Sequence, residues 1–394
     1  MRYLKYGTYL TIPLAFVCHF LLRQYEWEPM ATFALAGIGV IPLAGLMGVA
    51  TEHLAERTGP TWGGLLNATF GNAAELIIAI IALTKGLNGI VKASLTGSIL
   101  GNLLLVAGGA MLVGGWKREK QTFNRMSGET SAGLLMLAVA GMLFPAIFHF
   151  TARQMNDTQL VVHEHSVSIG TSIILLIVYA LGLLFTLKTH SHIFSRRPAQ
   201  SPEDHPGVSH LNGQWSVGRG VGMLLLASAG IGIVAELLVG SAEQMAHRLG
   251  WNEIFVGVIL LAIIGNAAEH FTAVLLAHRN DMDTALTITN QSSLQIALFA
   301  VPVLVLLSTL MVNLGWQPGD PMDLIFSPME VVAVLLCVGI VVVLGLDAQT
   351  NWFEGVLLLG VYCILAIAFF NIPAGNGGQS EPSHEQQPAP SPAK

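Results

Sequence analysis

The sequence contains few charged residues. Asp, Glu, Lys and Arg make up only 11% of its 394 residues, whereas hydrophobic residues make up 53%. Soluble globular domains carry about 25% charged residues, so this chain cannot cover its whole surface with hydrated groups. The formal net charge of -6 also provides no basic surface, and we therefore predict no nucleic-acid partner.

Cysteine is scarce as well. Cys18, Cys337 and Cys363 all lie in apolar runs and none belongs to a CxxC pair, which excludes a disulfide framework and a cysteine-ligated zinc site. The HExxH motif of metalloproteases and the nucleophile motifs of hydrolases are missing too. An intramembrane enzyme is consequently a weak alternative, and we predict neither enzymatic activity nor a cofactor.

Long apolar runs are abundant. Because roughly 20 apolar residues cross the hydrocarbon core of a bilayer, we predict an all-α integral membrane protein with about 11 transmembrane helices. The first run is followed by no small-residue cleavage pattern, so it is predicted to be a retained helix. The predicted spans are 6–23, 29–51, 62–84, 92–115, 129–150, 167–187, 219–242, 253–277, 284–310, 328–346 and 352–371.

Two polar segments divide the chain. Residues 189–218 contain several Pro and Gly and are predicted to form a cytoplasmic linker. Residues 373–394, rich in Pro, Gly, Gln and Ser, are predicted to be a disordered tail. The remaining regions are an N-terminal helix with its loop, 1–28, and two sets of five spans, 29–188 and 219–372.

The distribution of basic residues predicts the orientation. With a cytoplasmic N-terminus, the cytoplasmic loops and the linker carry twelve of the 18 Lys and Arg residues, and the other side carries six. Cytoplasmic loops are enriched in Lys and Arg, so we predict that the N-terminus is cytoplasmic. The short loops and the lack of an organelle signal favour a multi-pass protein of a prokaryotic inner membrane.

A five-residue motif occurs twice. Gly71–Glu75 and Gly265–Glu269 both read GNAAE, and Ser98 and Ser292 each follow the glutamate of their motif by 23 residues. The pattern ExxAxRxG also precedes each copy, starting at Glu52 and Glu243. These matches indicate a duplication. Since five spans are an odd number, the two copies enter the membrane from opposite sides, and such inverted repeats form a substrate site near the midplane.

The repeated polar residues predict the chemistry of that site. A carboxylate in the middle of a membrane span is costly unless it is neutralised. Helical spacing places Asn72 on the same face as Glu75, and Asn266 on that of Glu269. The next span of each half adds Ser98 and Asn102, or Ser292 and Gln295. An all-oxygen set with two negative charges suits Ca²⁺, which accepts six to eight oxygen ligands.

The same carboxylates predict coupling to protons. Two neighbouring buried carboxylates cannot both stay ionised cheaply without a cation, so Ca²⁺ and H⁺ compete for them. If the protein can change the orientation of the site only when the charge of the site is neutralised, the result is antiport by alternating access. The alternatives are a sodium-coupled cation/calcium exchanger and, less favoured, a cation channel.

Both motif regions resemble the two signature regions of the calcium/proton exchanger (CAX) family, in the calcium/cation antiporter superfamily. The likeness covers roughly residues 30–370. It implies one helix plus two inverted five-helix repeats, exchange of Ca²⁺ for H⁺, and essential roles for Glu75 and Glu269. Gln291 departs from the family, which usually has Gly at that position. The family's supporting polar positions are matched by Asn72, Asn266, Ser98, Asn102, Ser292 and Gln295.

Four further residues are weaker candidates for a proton or ion path. Glu52 and Glu243 are related by the repeat, and Glu236 lies seven residues before Glu243 on the same helical face. His270 directly follows Glu269 and is a candidate proton relay, although helical geometry points it away from the face of Glu269. The sequence leaves open whether the protein acts as a monomer or a homo-oligomer in the lipid bilayer.

Overall fold

The computed structural model describes residues 8–155, 157–191 and 215–373. Most of the predicted linker and the predicted tail therefore lie outside the described residues. We number the helices α1 to α12. They are α1 Thr11–Leu21, α2 Glu28–Phe70, α3 Ala73–Thr84, α4 Asn88–Gly115, α5 Arg125–Gln154, α6 Leu160–Thr189, α7 Val217–Leu249, α8 Glu253–Gly265, α9 Ala267–His278, α10 Met282–Asn313, α11 Pro328–Leu344 and α12 Trp352–Phe370.

Most of these helices are long and apolar. Seven of them are long and hydrophobic enough to cross a membrane, and the bent pair α8–α9 makes an eighth candidate span. The shorter apolar helices α1, α3 and α11 complete the described bundle. The prediction of a helical multi-pass fold is therefore confirmed, whereas the count of 11 spans stays a prediction.

Helix α2 differs from its prediction. Residues 52–61, expected to be a loop between two spans, continue the helical hydrogen bonding, because the segment contains the strong helix formers Leu54, Ala55 and Glu56. The chain nevertheless reverses here. Residues eight apart in a straight helix are about 12 Å apart, yet a Cβ on Gly63 would lie 3.1 Å from the Cα of Ala55. The first predicted span and the start of the second, as far as Phe70, are thus two arms of one bent helix, and α3 forms the rest of the second span.

The first arm of α2 pairs with α7 along its length. Gly220 packs on the side chain of Leu54, and Gly230 packs on that of Leu43. The numbering runs in opposite directions along the two helices, so they are antiparallel. Glycine permits this close approach of helices. Helix α1 packs on the outside of α2, where Gly39 contacts Ile12.

Contacts between loops define two ends of the bundle. At the end where α7 begins, which we call the linker face, the ring of Trp215 stacks on His53. Two short strands pair antiparallel at this face, β1 Gln121–Thr122 and β2 Gln349–Thr350. At the other end, the opposite face, Lys92 Nζ lies 2.9 Å from Asp323 Oδ1, and Arg248 donates to the carbonyl of Glu26.

The backbone carries the sequence repeat at a constant offset of 194 residues. Both motifs break their helix: α2 ends at Phe70 just before Asn72, and α8 and α9 meet at Asn266 with a bend of 62°. The turns that follow both use a left-handed residue, Gly86 (φ 74°) and Asn280 (φ 68°). Helices α4 and α10 then contain related π-helical turns, Gly101–Val106 and Ile296–Ala300.

Candidate ion-binding site

The two helix breaks place the predicted acids at helix N-termini. Glu75 lies in the first turn of α3, and Glu269 lies in the first turn of α9. Within the predicted spans 62–84 and 253–277, each acid thus follows a break in the helix. Gly71 and Gly265 interrupt the helix just before the acids. The N-terminus of a helix carries a partial positive charge that stabilises a carboxylate, which makes each break a favourable position for an acid.

The two motifs meet in the interior. A Cβ on Gly265 would lie 3.4 Å from Cγ of Glu75, so the acid of the first half touches the motif of the second half. Glu75 is also near enough to Glu269 for the two charges to interact. Both acids are partly buried. The duplicated halves therefore bring their carboxyl groups together, as the inverted repeat predicts.

Hydrogen bonds cross between the halves in a related pattern. Ser292 donates from Oγ to Oδ1 of Asn72 over 2.9 Å. At the related position, Asn266 donates from Nδ2 to Oγ of Ser98 over 2.8 Å. Each asparagine is thus held by the serine of the other half. Asn72, Ser98, Asn266 and Ser292 are all at most 5% exposed.

Asn102 joins the two pairs into one network. Its Nδ2 donates to Ser292 Oγ over 2.9 Å and lies 3.4 Å from Asn266 Oδ1. The residue occupies the first turn of the π-helical segment of α4, and segments of this kind are frequent at functional sites. Its counterpart in the second half is Ile296, which cannot donate. Ser292 consequently has more side-chain hydrogen bonds in the network than Ser98 has.

Several buried polar atoms at this level have no hydrogen-bond partner among the described residues. They include Glu269 Oε2, Gln295 Nε2 and His270 Nε2. Buried polar atoms are normally paired, and a binding site for an ion or water leaves such groups available. Ser292 lies next to Glu269 as well. Glu269 therefore lies beside the network at Ser292, and the buried Gln295 lies one helical turn after Ser292 on α10.

The weaker candidates lie in different places. Glu52 is exposed near the linker face. Glu236 is 2.8 Å from Lys85 Nζ, and Glu243 groups with His247 and Glu253 near the opposite face. These three are outside the polar network. The ring of His270 points toward Gly101, with Nε2 4.0 Å from a Cβ placed there, so it lies beside the network without bonding to it.

One buried acid next to the site was not among the predicted site residues. Glu330, 4% exposed, accepts a hydrogen bond from Thr96, two residues before Ser98. Glu330 also closes a capping box with Ser327 at the start of α11. The sequence pattern SPME signals the cap, but nothing in the sequence pairs it with Thr96. This contact fixes α4 beside the network.

Residues 29–188 and 219–371 match the sequence pattern of the sodium/calcium exchanger protein family. The chain belongs to this family. Within it, the chain is 42% identical to a Ca²⁺/H⁺ antiporter of Synechocystis sp. over 372 residues, which are 92% of this chain and 95% of that protein. It is 41% identical to the Ca²⁺/H⁺ antiporter ChaA of Bacillus subtilis over 346 residues, 88% of this chain and 93% of that protein.

Solved structures of family members have the same architecture. Native YfkE aligns with a TM-score of 0.74 at 37% identity, covering 92% of this chain and 98% of that one. The H⁺/Ca²⁺ exchanger CAX aligns with a TM-score of 0.65 at 14% identity, over 94% of this chain and 92% of that one; that likeness concerns the fold alone. The resemblance to calcium/proton exchangers, stated from the motifs, is confirmed.

Proposed function

We propose that this exchanger-family protein moves Ca²⁺ in exchange for H⁺ across a membrane, with Glu75 and Glu269 binding the cation or protons in turn. The observation that carries the proposal is the contact between Glu75 and the second motif at Gly265. It supports a single site to which each half contributes one acid. Relatives named as Ca²⁺/H⁺ antiporters, aligned along nearly the whole chain, support the choice of ions.

The chemistry of the network fits a divalent cation. Two carboxylates neutralise two positive charges, and the adjoining network of Asn72, Asn266 and Ser98 supplies neutral side-chain oxygens. Such a set of hard oxygens suits Ca²⁺. Without Ca²⁺, protons on the carboxylates remove the cost of two charges in a low-dielectric interior. Binding of one substrate thus requires release of the other, and this competition couples the two fluxes.

Alternating access follows from the repeats. The two halves contribute related residues to one site, so a rocking of the repeats opens it first to one face and then to the other. We infer that the linker face is cytoplasmic because it carries most of the basic residues. The bacterial relatives support a prokaryotic inner membrane. The proposed activity is transport, with Ca²⁺ and H⁺ as substrates and no cofactor.

Transport by the purified protein in proteoliposomes tests the proposal. A pH gradient should drive Ca²⁺ uptake, and Ca²⁺ should drive movement of H⁺ in the reverse direction. Parallel gradients of Na⁺ and K⁺ at uniform pH should drive little Ca²⁺ uptake, while Mn²⁺ competition measures the selectivity. Uptake of Ca²⁺ driven by Na⁺ and insensitive to pH would instead establish the sodium-coupled alternative.

A further inference from the structure

One helical stripe differs sharply between the two halves. In α4, Ile90, Ala93 and Gly97 lie in the roughly two turns that precede Ser98, on the side of the opposite face. Their counterparts in α10, at the offset of 194 residues, are Thr284, Thr287 and Gln291, and these precede Ser292 on the side of the linker face. The first stripe is apolar and the second is polar.

The apolar stripe is closed. Ile90 and Ala93 are at most 1% exposed, and Gly257 of α8 packs on Ala93 and on the backbone beside it. Gly97 lies directly against the backbone of Val258, so that even a methyl group at residue 97 would collide with it. Small residues allow this backbone contact. Helices α4 and α8 thereby seal the network from the opposite face.

The polar stripe is accessible. Both Thr287 and Gln291 are exposed. A helix surface in contact with lipid is apolar, because polar groups in hydrocarbon are costly. An exposed threonine and glutamine on one helical face therefore indicate contact with water. Gln291 lies one turn from Gln295 on the same face, so this stripe leads from the linker face to the network.

We propose that Gln291 keeps the linker face of the site open and that the Thr287–Gln291 stripe lines the aqueous access path there. If the linker face closed in the way that the opposite face does, the amide of Gln291 would be buried against a helix backbone. A buried amide without a partner is unfavourable. Gly97 imposes no such penalty in the first half. The difference biases the protein toward the state that is open at the linker face.

This inference rests on the proposed function, since it concerns the same site, but its test reads conformation directly. Cys18, Cys337 and Cys363 are replaced by alanine, and one reporter cysteine is added to each of two samples. Thr287→Cys reports on the linker face and Ser94→Cys, beside the Gly257 contact, reports on the opposite face. The rate of reaction with a hydrophilic maleimide is measured in detergent, where both faces are accessible.

Gln291→Gly should shift the equilibrium toward closure of the linker face. We expect the reactivity of Thr287→Cys to fall, and that of Ser94→Cys to rise, on the order of tenfold, the equivalent of one unsatisfied buried amide. Gln291→Asn keeps an amide and should leave both rates near their starting values. Gln291→Ala provides a second small residue, with a smaller expected shift, in case glycine disturbs the folding of α10.

Unchanged reactivity of both reporters in Gln291→Gly and Gln291→Ala would overturn the inference. Loss of Ca²⁺ binding without a change in reactivity would also overturn it, because Gln291 would then act as a ligand. Failure of the proposed function is a separate result. In that case the protein with native Gln291 shows no exchange of Ca²⁺ for H⁺, whatever the reporters show.

Discussion

The two halves of the molecule are alike at the polar network and unlike on the stripes that lead to it. Asn72 with Ser292 and Asn266 with Ser98 form related hydrogen bonds across the pseudo-symmetry axis. Directly before the two serines, Gly97 is packed on Val258 while its counterpart Gln291 is exposed. Under the proposed function, the comparison indicates that the proposed ligands stay symmetric because both orientations use them, while the surfaces that close over them are free to differ.

The polar network itself is also asymmetric, at Asn102. This residue bonds to Ser292, whereas the related Ile296 has no polar group to offer Ser98. The second half's serine therefore has two side-chain partners and the first half's serine has one. The two acids are related by symmetry, whereas the hydrogen-bonding residues near them are not. Mutation of the two acids should therefore have equal effects, and mutation of the two serines should have unequal effects.

The largest expected effect concerns the symmetric acids. Glu75→Gln and Glu269→Gln should each reduce exchange by at least roughly 100-fold, because loss of one charge from a buried charge-paired site costs about 3–5 kcal/mol. Ca²⁺-dependent proton flux in proteoliposomes measures the loss. Glu52→Gln is the control, since Glu52 is exposed and outside the network. Substantial exchange by either acid variant would show that the halves are unequal at the acids as well.

A smaller effect should distinguish the two serines. Ser292→Ala removes the bond donated to Asn72 and the bond accepted from Asn102, whereas Ser98→Ala removes only the bond accepted from Asn266. At about 1 kcal/mol per hydrogen bond, Ser292→Ala should weaken apparent Ca²⁺ affinity roughly fivefold more than Ser98→Ala. The Ca²⁺ concentration at half-maximal flux provides the measurement. Equal losses would contradict the view that Asn102 makes the network unequal.

Sequence reasoning selected the candidate site residues because their signal is repeated. A carboxylate in an apolar run is conspicuous by itself, and two copies of GNAAE identify the contact between the halves before any geometry is known. Ser98, Asn102, Ser292 and Gln295 follow from the same repeat. The helix breaks at Asn72 and Asn266 could be anticipated only in part, since glycine loosens a helix without fixing where it bends.

Other features depend on contacts that no local pattern encodes. The chain of α2 reverses between Ala55 and Gly63 although both residues are helical, so the sequence predicts either a loop or a helix there but not a folded-back helix. The Thr96–Glu330 bond joins residues 234 positions apart. The structure pairs Glu236 with Lys85, because the end of α3 lies against α7, and a role of Glu236 along an ion path stays a prediction.

The smallest effect should come from that ion pair, which joins Lys85 of the first half to Glu236 of the second half. Lys85 Nζ lies 2.8 Å from Glu236 Oε1 and 3.1 Å from the carbonyl of Glu236, while the repeat places Gly45 opposite Glu236. Because the Glu236 side chain is 58% exposed, Lys85→Met should cost less than about 1 kcal/mol. Thermal unfolding in detergent at low and high salt measures it, with Lys117→Met as a matched surface control. A large and salt-independent loss would mean that this contact, and not the glycine packing of α4 on α8, is what holds the opposite face closed.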